Sequence, residues 1–221
     1  MSPNVIITGA NRGIGLAFCK RYLELGYNVY AICRKAGPDL PNLSATVIDG
    51  VDVSQPEGIE RLRSAVHDIP VDILINNAGI WGKETLGSID YEIMQNVFSV
   101  NALAPLRVTE ALLANMGTGS KIALITSRMG SIEDNTSGRG YDYRMSKAAL
   151  NMAGKTLAVD LLDEGISVGI YHPGFVQTDM VGGKGDITPD VAAERISDRV
   201  KELNLTNSGN FWHSNGEQLP W

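Results

Sequence analysis

Tyr143-Arg-Met-Ser-Lys147 places a phenol and an ammonium four residues apart at the start of a long helical pattern. Residues at i and i+4 share one helix face, one turn apart. A cation beside a phenol favours the phenolate, so the spacing predicts a Tyr143 pKa below its ordinary value near ~10. A phenol tuned that way can give a proton to an oxygen, or take one from it, near neutral pH. The same pair arises often on solvated helices, so its weight comes from the residues that accompany it.

The first apolar burst runs into Thr8-Gly9-Ala10-Asn11-Arg12-Gly13-Ile14-Gly15, and a helical pattern follows. Glycines there permit a tight turn and let a phosphate approach the backbone, and the helix N-terminus faces the anion with free N–H groups. The spacing G-x-x-x-G-x-G is a variant of the usual dinucleotide fingerprint. The second burst ends Ala31-Ile32-Cys33-Arg34-Lys35. NAD sites carry an acid at that place for the ribose hydroxyl. Here a guanidinium follows instead, suited to a 2′-phosphate, and Arg12 is a second positive charge in the glycine loop. Alternatively Arg34 is a solvated loop residue. Asp52-Val53 could meet an adenine amino group or simply shape a turn, and Asn76-Asn77-Ala78-Gly79 could border a ligand crevice or a plain turn.

Asn101 precedes Pro105 by four residues in a helical pattern. Proline removes the hydrogen bond to the Asn101 carbonyl and should bend the helix, leaving a carbonyl and an amide side chain able to hold a water. Ser127 and Ser131 both precede Tyr143 on loops, and either hydroxyl could bond the oxygen that Tyr143 protonates. Pro173-Gly174 forces a turn after the sixth burst, where Thr178 could bond a cofactor amide. His172 is read as structural: with only His67 and His213 elsewhere in the chain and no H-x-x-x-H spacing or Cys cluster, no metal site is expected.

These residues must be held by alternating elements. Strands are predicted at 4–7, 28–32, 45–48, 73–75, 121–126, 167–171 and near Phe211, with helices at 15–25, 56–67, 91–115, 143–164 and 189–203. Such alternation gives an α/β domain, a doubly wound parallel sheet of about seven strands with helices on both faces. The 221 residues suit one domain without a linker. A formal charge of −6 and the lack of a dense Lys/Arg tract argue against nucleic acid. No apolar run reaches the ~18 residues of a membrane span, no signal peptide is recognised, and Cys19 and Cys33 make no disulfide framework, so a cytoplasmic protein is expected.

With TGANRGIG at 8–15, Asp52, NNAG at 76–79, Asn101, Ser127, YRMSK at 143–147 and HPGFVQTD at 172–179 in this order, the whole chain resembles the classical short-chain dehydrogenase/reductase family. It is most similar to the branch of C-factor-like proteins and Sniffer-type carbonyl reductases. The resemblance implies a single Rossmann-fold domain over 1–221 and hydride exchange between NADP(H), preferred over NAD(H), and a small carbonyl or alcohol. It implies Tyr143 as general acid, Lys147 on the nicotinamide ribose, Ser127 rather than Ser131 on the substrate oxygen, and Asn101 on a water. The implied cofactor site is Gly9, Asn11, Arg12, Gly13, Ile14, Gly15, Arg34, Asp52, Val53, Asn77, Ala78, Gly79, Tyr143, Lys147, Pro173, Gly174, Val176 and Thr178. The family's serine doublet reads Thr126-Ser127 here. The alternative is a cofactor-binding signalling protein of C-factor type with little turnover.

The resemblance also implies a homodimer, or a tetramer, paired through the helices at 91–115 and 143–164. Ala148, Ala149, Ala153 and Gly154 are small enough for close approach or for packing inward. The segment 179–188 is short and glycine-rich, so it is expected to be mobile and to cover little of the site. Trp81, Met129, Phe175 and Met180 could line an apolar pocket. The terminal Pro220-Trp221 could fold back and partly close it.

Overall fold

The computed structural model describes residues 2–221. Seven strands form one parallel sheet in the order β3-β2-β1-β4-β5-β6-β7. They are β1 (Asn4–Thr8), β2 (Asn28–Ile32), β3 (Thr46–Ile48), β4 (Ile73–Asn76), β5 (Lys121–Ile125), β6 (Ser167–His172) and β7 (Phe211–His213). The period of two in β1 explains why the sheet is covered twice. Ile6 joins the core on one face, whereas Val5 and Ile7 join the core on the other, and all three are fully buried. Strands buried on both faces read as continuous apolar runs, as these do.

The helices are α1 (Gly13–Glu24), α2 (Pro56–Val66), α3 (Tyr91–Phe98), α4 (Ala104–Leu112), α5 (Tyr141–Asp160) and α6 (Pro189–Glu202). α1 packs with α6 over one face through Phe18, Tyr22, Ile196 and Val200. α2, α4 and α5 cover the other through Leu62, Val108 and Leu150. The first three strands wind toward one edge and β4 returns to the far side of β1. The chain therefore leaves β1 and β4 on opposite faces, which opens a crevice at their carboxyl ends.

Three expectations are corrected. The helix predicted at 91–115 spans those residues, but not as the simply bent α-helix expected: α3 passes without interruption into a π-helical turn at Ser99–Leu103, and α4 resumes with Pro105 in its first turn. The missing N–H of Pro105 is absorbed by widening the turn rather than by a simple bend. Joined end to end, the column Tyr91–Asn115 is long and apolar enough to cross a membrane, against the reading that no run reaches that length. Half of its apolar window is buried, with α4 on α2 and β4 and α3 on α5, which is the place of a core helix. Finally, Gly154 does not sit on a helix-pairing surface. A Cβ there would lie 2.7 Å from the Leu124 side chain and 2.8 Å from that of Ile170, so the position lets α5 approach the sheet.

Gly154→Val should therefore lower stability by about 1–3 kcal/mol through overpacking, read from the urea midpoint. Unchanged stability would show that α5 has slack against β5 and β6.

Candidate active site

The glycine loop is shaped by contacts across the sheet. Gly9 has φ +66°, and a Cβ on it would lie 2.9 Å from the Ala78 Cα. On Gly15 a Cβ would fall 2.1 Å from the Gly9 carbonyl oxygen, so only glycine fits there. β1 and β4 are tied where they part. The Thr8 hydroxyl accepts from the N–H groups of Asn77 and Ala78, each at 3.0 Å, and the Asn77 amide donates to the carbonyls of Thr8 (3.0 Å) and Gly9 (3.3 Å). Arg12 stands at the N-cap of α1 in extended conformation and makes no side-chain cap, so the first N–H groups of the helix face the crevice. The sequence reading assigned Thr8 no role; its signal was only its place directly before Gly9.

One cleft of about 460 Å³ gathers most of the predicted residues. Gly9, Asn11, Arg12, Gly13, Ile14 and Gly15 line it with Arg34, Asp52, Val53, Asn77, Ala78 and Gly79, and at its other end lie Ser127, Tyr143, Lys147, Pro173, Gly174, Val176 and Thr178. Trp81, Met129, Phe175 and Met180 add an apolar wall. Cys33, Val51 and Ile80, which follow strands, His172, which ends β6, and Val100, in the π-helical turn, also line it and were missed, since none gives a chemical signal of its own.

Asn101 lies outside this lining and is fully buried beneath it. Its side chain holds the main chain of Ile80, accepting from the N–H at 2.8 Å and donating to the carbonyl at 3.0 Å, and it also donates to the Ser146 hydroxyl at 3.1 Å. The expectation that this amide is free to hold a water is corrected.

Ser127 caps a short turn, Arg128–Gly130, and its hydroxyl accepts from the Met129 N–H at 3.1 Å. Gly130 packs against α5 so closely that a Cβ would meet the Lys147 carbonyl carbon at 2.7 Å, which sets Ser127 beside Tyr143. Ser131 is buried away from the cleft and accepts from the Asp134 N–H. The hydroxyl of Thr126, in place of the first serine of the doublet, donates to the Asn151 side-chain oxygen at 2.7 Å and so is structural.

The prediction of a lowered Tyr143 pKa is also corrected. Burial pushes the phenol up from 10.0 to about 12, with the neighbouring Ser127 hydroxyl pulling weakly the other way. Burial likewise lowers Lys147 from 10.5 to about 8. The Lys147 Nζ donates to the Ile125 carbonyl at 2.9 Å and stands 5.7 Å from the centre of the Tyr143 ring. Taking both groups out of water outweighs their mutual attraction. His172 is held down to about 3 by burial, then by His213 and Arg128, so it is a neutral ring in the wall. Burial disfavours the Asp52 charge, but the Ser54 hydroxyl and N–H and the Arg34 charge outweigh it and lower its pKa. One Asp52 oxygen is taken by Ser54, the turn role, while the residue still lines the cleft.

The segment 179–188 is folded rather than loose. Gln177 N–H donates to the Ile187 carbonyl at 2.9 Å, Asp186 N–H to Phe175 at 2.7 Å and Gly183 N–H to Thr178 at 2.9 Å. Asp179 reaches Arg12 at 3.2 Å, and Asp179, Met180 and Val181 all line the cleft, so the segment covers more than expected. The C-terminus does not close the site. Trp221 stacks on Phe211 at 5.6 Å, and its carbonyl accepts from the Glu133 N–H, so the tail braces the loop after Ser127.

A family model described as short chain dehydrogenase matches residues 3–187. The chain is 37% identical over 223 residues to 1-hydroxy-2-glutathionyl-2-methyl-3-butene dehydrogenase of Rhodococcus sp. (strain AD45), covering 98% of this chain and 99% of that protein. It is 45% identical over 155 residues to C-signal of Myxococcus xanthus, covering 69% of this chain and 93% of that one. The NADPH bound carbonyl reductase from chicken fatty liver superposes with a TM-score of 0.92 at 30% identity, covering 100% and 99% of the two chains. The protein belongs to the short-chain dehydrogenase/reductase family and is an oxidoreductase of that fold.

The buried ammonium makes a stability prediction. The Lys147 pKa is lower folded than unfolded, so between pH about 8 and 10.5 the unfolded chain binds the extra proton and stability rises with pH. Lys147→Met should be more stable than the wild type at pH 7, with the gap closing toward pH 10.5, read by denaturant unfolding at each pH. A variant less stable by a constant margin would contradict the desolvation account.

Proposed function

We propose that the protein is an NADP(H)-dependent carbonyl reductase, or the corresponding alcohol dehydrogenase in reverse, with Tyr143 as general acid or base. The observation that carries this reading is the meeting of Ser127, Tyr143 and Lys147 in the wall of the cleft that also receives the open N-terminus of α1. The glycine loop fits a dinucleotide, because Gly9 and Gly15 let the turn from β1 into α1 pack tightly against Asn77 and Ala78, and the uncapped N-terminus of α1 is left at the cleft. Gly9 to Gly15 would hold the pyrophosphate, Arg34 and Arg12 a 2′-phosphate, and Asp52 and Val53 the adenine. Ala78, Gly79, Lys147, Pro173, Val176 and Thr178 would hold the nicotinamide half. When bound, the nicotinamide supplies or takes the hydride.

This chain's residues manage the proton. Burial keeps Tyr143 protonated at neutral pH, so its O–H is a donor for a carbonyl oxygen arriving beside Ser127. Ser127 accepts from Met129 and keeps its own proton for the same oxygen. Lys147 is fixed at the Ile125 carbonyl, where it can bond a ribose and balance charge left on the phenol. The main-chain carbonyl of Asn101 would seat the water that returns protons. The Rhodococcus relative is named a dehydrogenase of a hydroxy compound and the chicken protein a carbonyl reductase, names that support hydride transfer at an alcohol or carbonyl carbon.

NADP(H) is preferred over NAD(H) in this reading, since β2 is followed by Cys33-Arg34 without an acid. The Arg12–Asp179 pair is exposed at both ends, so it yields readily to a phosphate. Exposed Met152 and Val159 on α5 and Tyr91 and Ile93 on α3 support a homodimer, with a tetramer as the larger alternative. A second reading, favoured by the likeness to C-signal, is a signalling protein that binds the cofactor with little turnover. Oxidation of NADPH with a panel of aldehydes, ketones and diketones separates the two, because binding without turnover supports the second.

Tyr143→Phe should lower reduction by about 10²–10⁴-fold while leaving NADPH binding within a few-fold; near wild-type turnover would remove Tyr143 from its role. Arg34→Ala should weaken NADPH binding by about 1.5–3 kcal/mol and NADH binding little, measured by fluorescence titration. Equal wild-type dissociation constants for the two cofactors would overturn the preference.

A further inference from the structure

We propose that Asp142 is a positioning residue that fixes the strap 81–83 across Tyr143 and so sets which carbonyls reach the phenol. The inference rests on the hydride-transfer reading above and adds a residue to it.

The strap is pinned at both ends. Ile80 is held by both polar atoms of the Asn101 side chain. Glu84 is held by the first turn of α5: its N–H donates to Asp142 Oδ1 at 3.1 Å, and its carbonyl accepts from the Tyr141 N–H at 3.0 Å. Between these anchors Trp81 lies on Tyr143, ring centres 4.5 Å apart and planes tilted by 44°. Trp81 is 41% exposed and lines the cleft, so one face covers the phenol ring and the rest meets an entering ligand.

Asp142 is 1% exposed, and its second oxygen, Oδ2, is buried with no hydrogen-bond partner. That oxygen lies directly against Gly82. A Cβ on Gly82 would fall 1.8 Å from Oδ2 and 2.3 Å from the carboxyl carbon, so only glycine lets the strap pass this close. A carboxylate in the first turn of α5 gains from the helix dipole, but an exposed one would gain the same without burying an unpartnered oxygen. The burial is explained if the carboxylate is a post on which the strap is seated. The strap carries its load onward: the Glu84 carboxylate accepts from the Asp90 N–H, and Asp90 caps α3.

The test uses the full-length protein with Asp142→Ala, Asp142→Asn and Gly82→Ala. Trp81 mobility is read as acrylamide quenching, isolated by subtracting the Trp81→Phe counterpart of each variant. Asp142→Ala should raise the quenching constant about twofold or more, since the strap loses one anchor. It should raise KM for an aromatic ketone about tenfold while changing kcat and KM for a small aldehyde little, with NADPH binding unchanged. Asp142→Asn keeps an acceptor oxygen for Glu84 and should restore most of both readouts. Gly82→Ala attacks the contact from the other side and should reproduce the alanine pattern even if Asp142→Ala fails to fold. Unchanged Trp81 quenching, or an equal rise in KM for every carbonyl, would overturn the proposal. If the wild type turns over no carbonyl at all, the reductase reading fails separately, and quenching with NADPH binding still decides whether Asp142 fixes the strap.

Discussion

Everything chemical in this molecule hangs on the tie between β1 and β4 where they part. Thr8 and Asn77 exchange hydrogen bonds there through side chain and main chain alike. The tie brings Gly9 under Ala78 at a distance that excludes any larger residue. From that point the glycine loop runs to one side of the crevice, and Gly79, Ile80 and Trp81 run to the other. The anion-facing end of α1 and the apolar wall near Tyr143 are thus set by a single junction. A parallel sheet makes such a junction only where its winding reverses.

The second constraint is electrical. Tyr143 and Lys147 are packed between α5, β5 and the Ser127 turn, with Trp81 above, and little water reaches either. Desolvation drives the phenol toward its acid form and the ammonium toward its neutral form. Burying these two groups costs folding stability, as sites built for function commonly do. A cofactor phosphate and ribose would add polar partners to a cleft whose charged lining includes Arg12, Arg34 and Arg128.

The walls are held by hydrogen bonds to their main chain. Asn101 holds Ile80, Asp142 holds Glu84, and the 179–188 loop is bonded back to Phe175, Gln177 and Thr178. Segments that border a ligand gain geometry this way without a core of their own. The C-terminal tail works likewise, its last carbonyl bracing the loop that follows Ser127.

The local chemistry was legible in the sequence. The glycine spacing, the four-residue step from Tyr143 to Lys147 and the alternation of apolar bursts with helical patterns are short-range properties, fixed by backbone sterics and periodicity. They gave the α/β class and the strand count, and the family resemblance carried by those motifs gave most of the residues that line the cleft, though not Cys33, Val51, Ile80 or Val100. Long-range packing decided the rest. Whether Tyr143 is lifted or lowered depends on how much water the fold removes. Whether Asn101 meets a water or Ile80 depends on a loop 21 positions away. The burial of Ser131 away from the cleft, the inward face of Gly154 and the seat of Asp142 against Gly82 each join segments that no local pattern relates. A sequence states which groups are available, but only the folded chain sets their distances and their solvent, and those two quantities determine what the groups do.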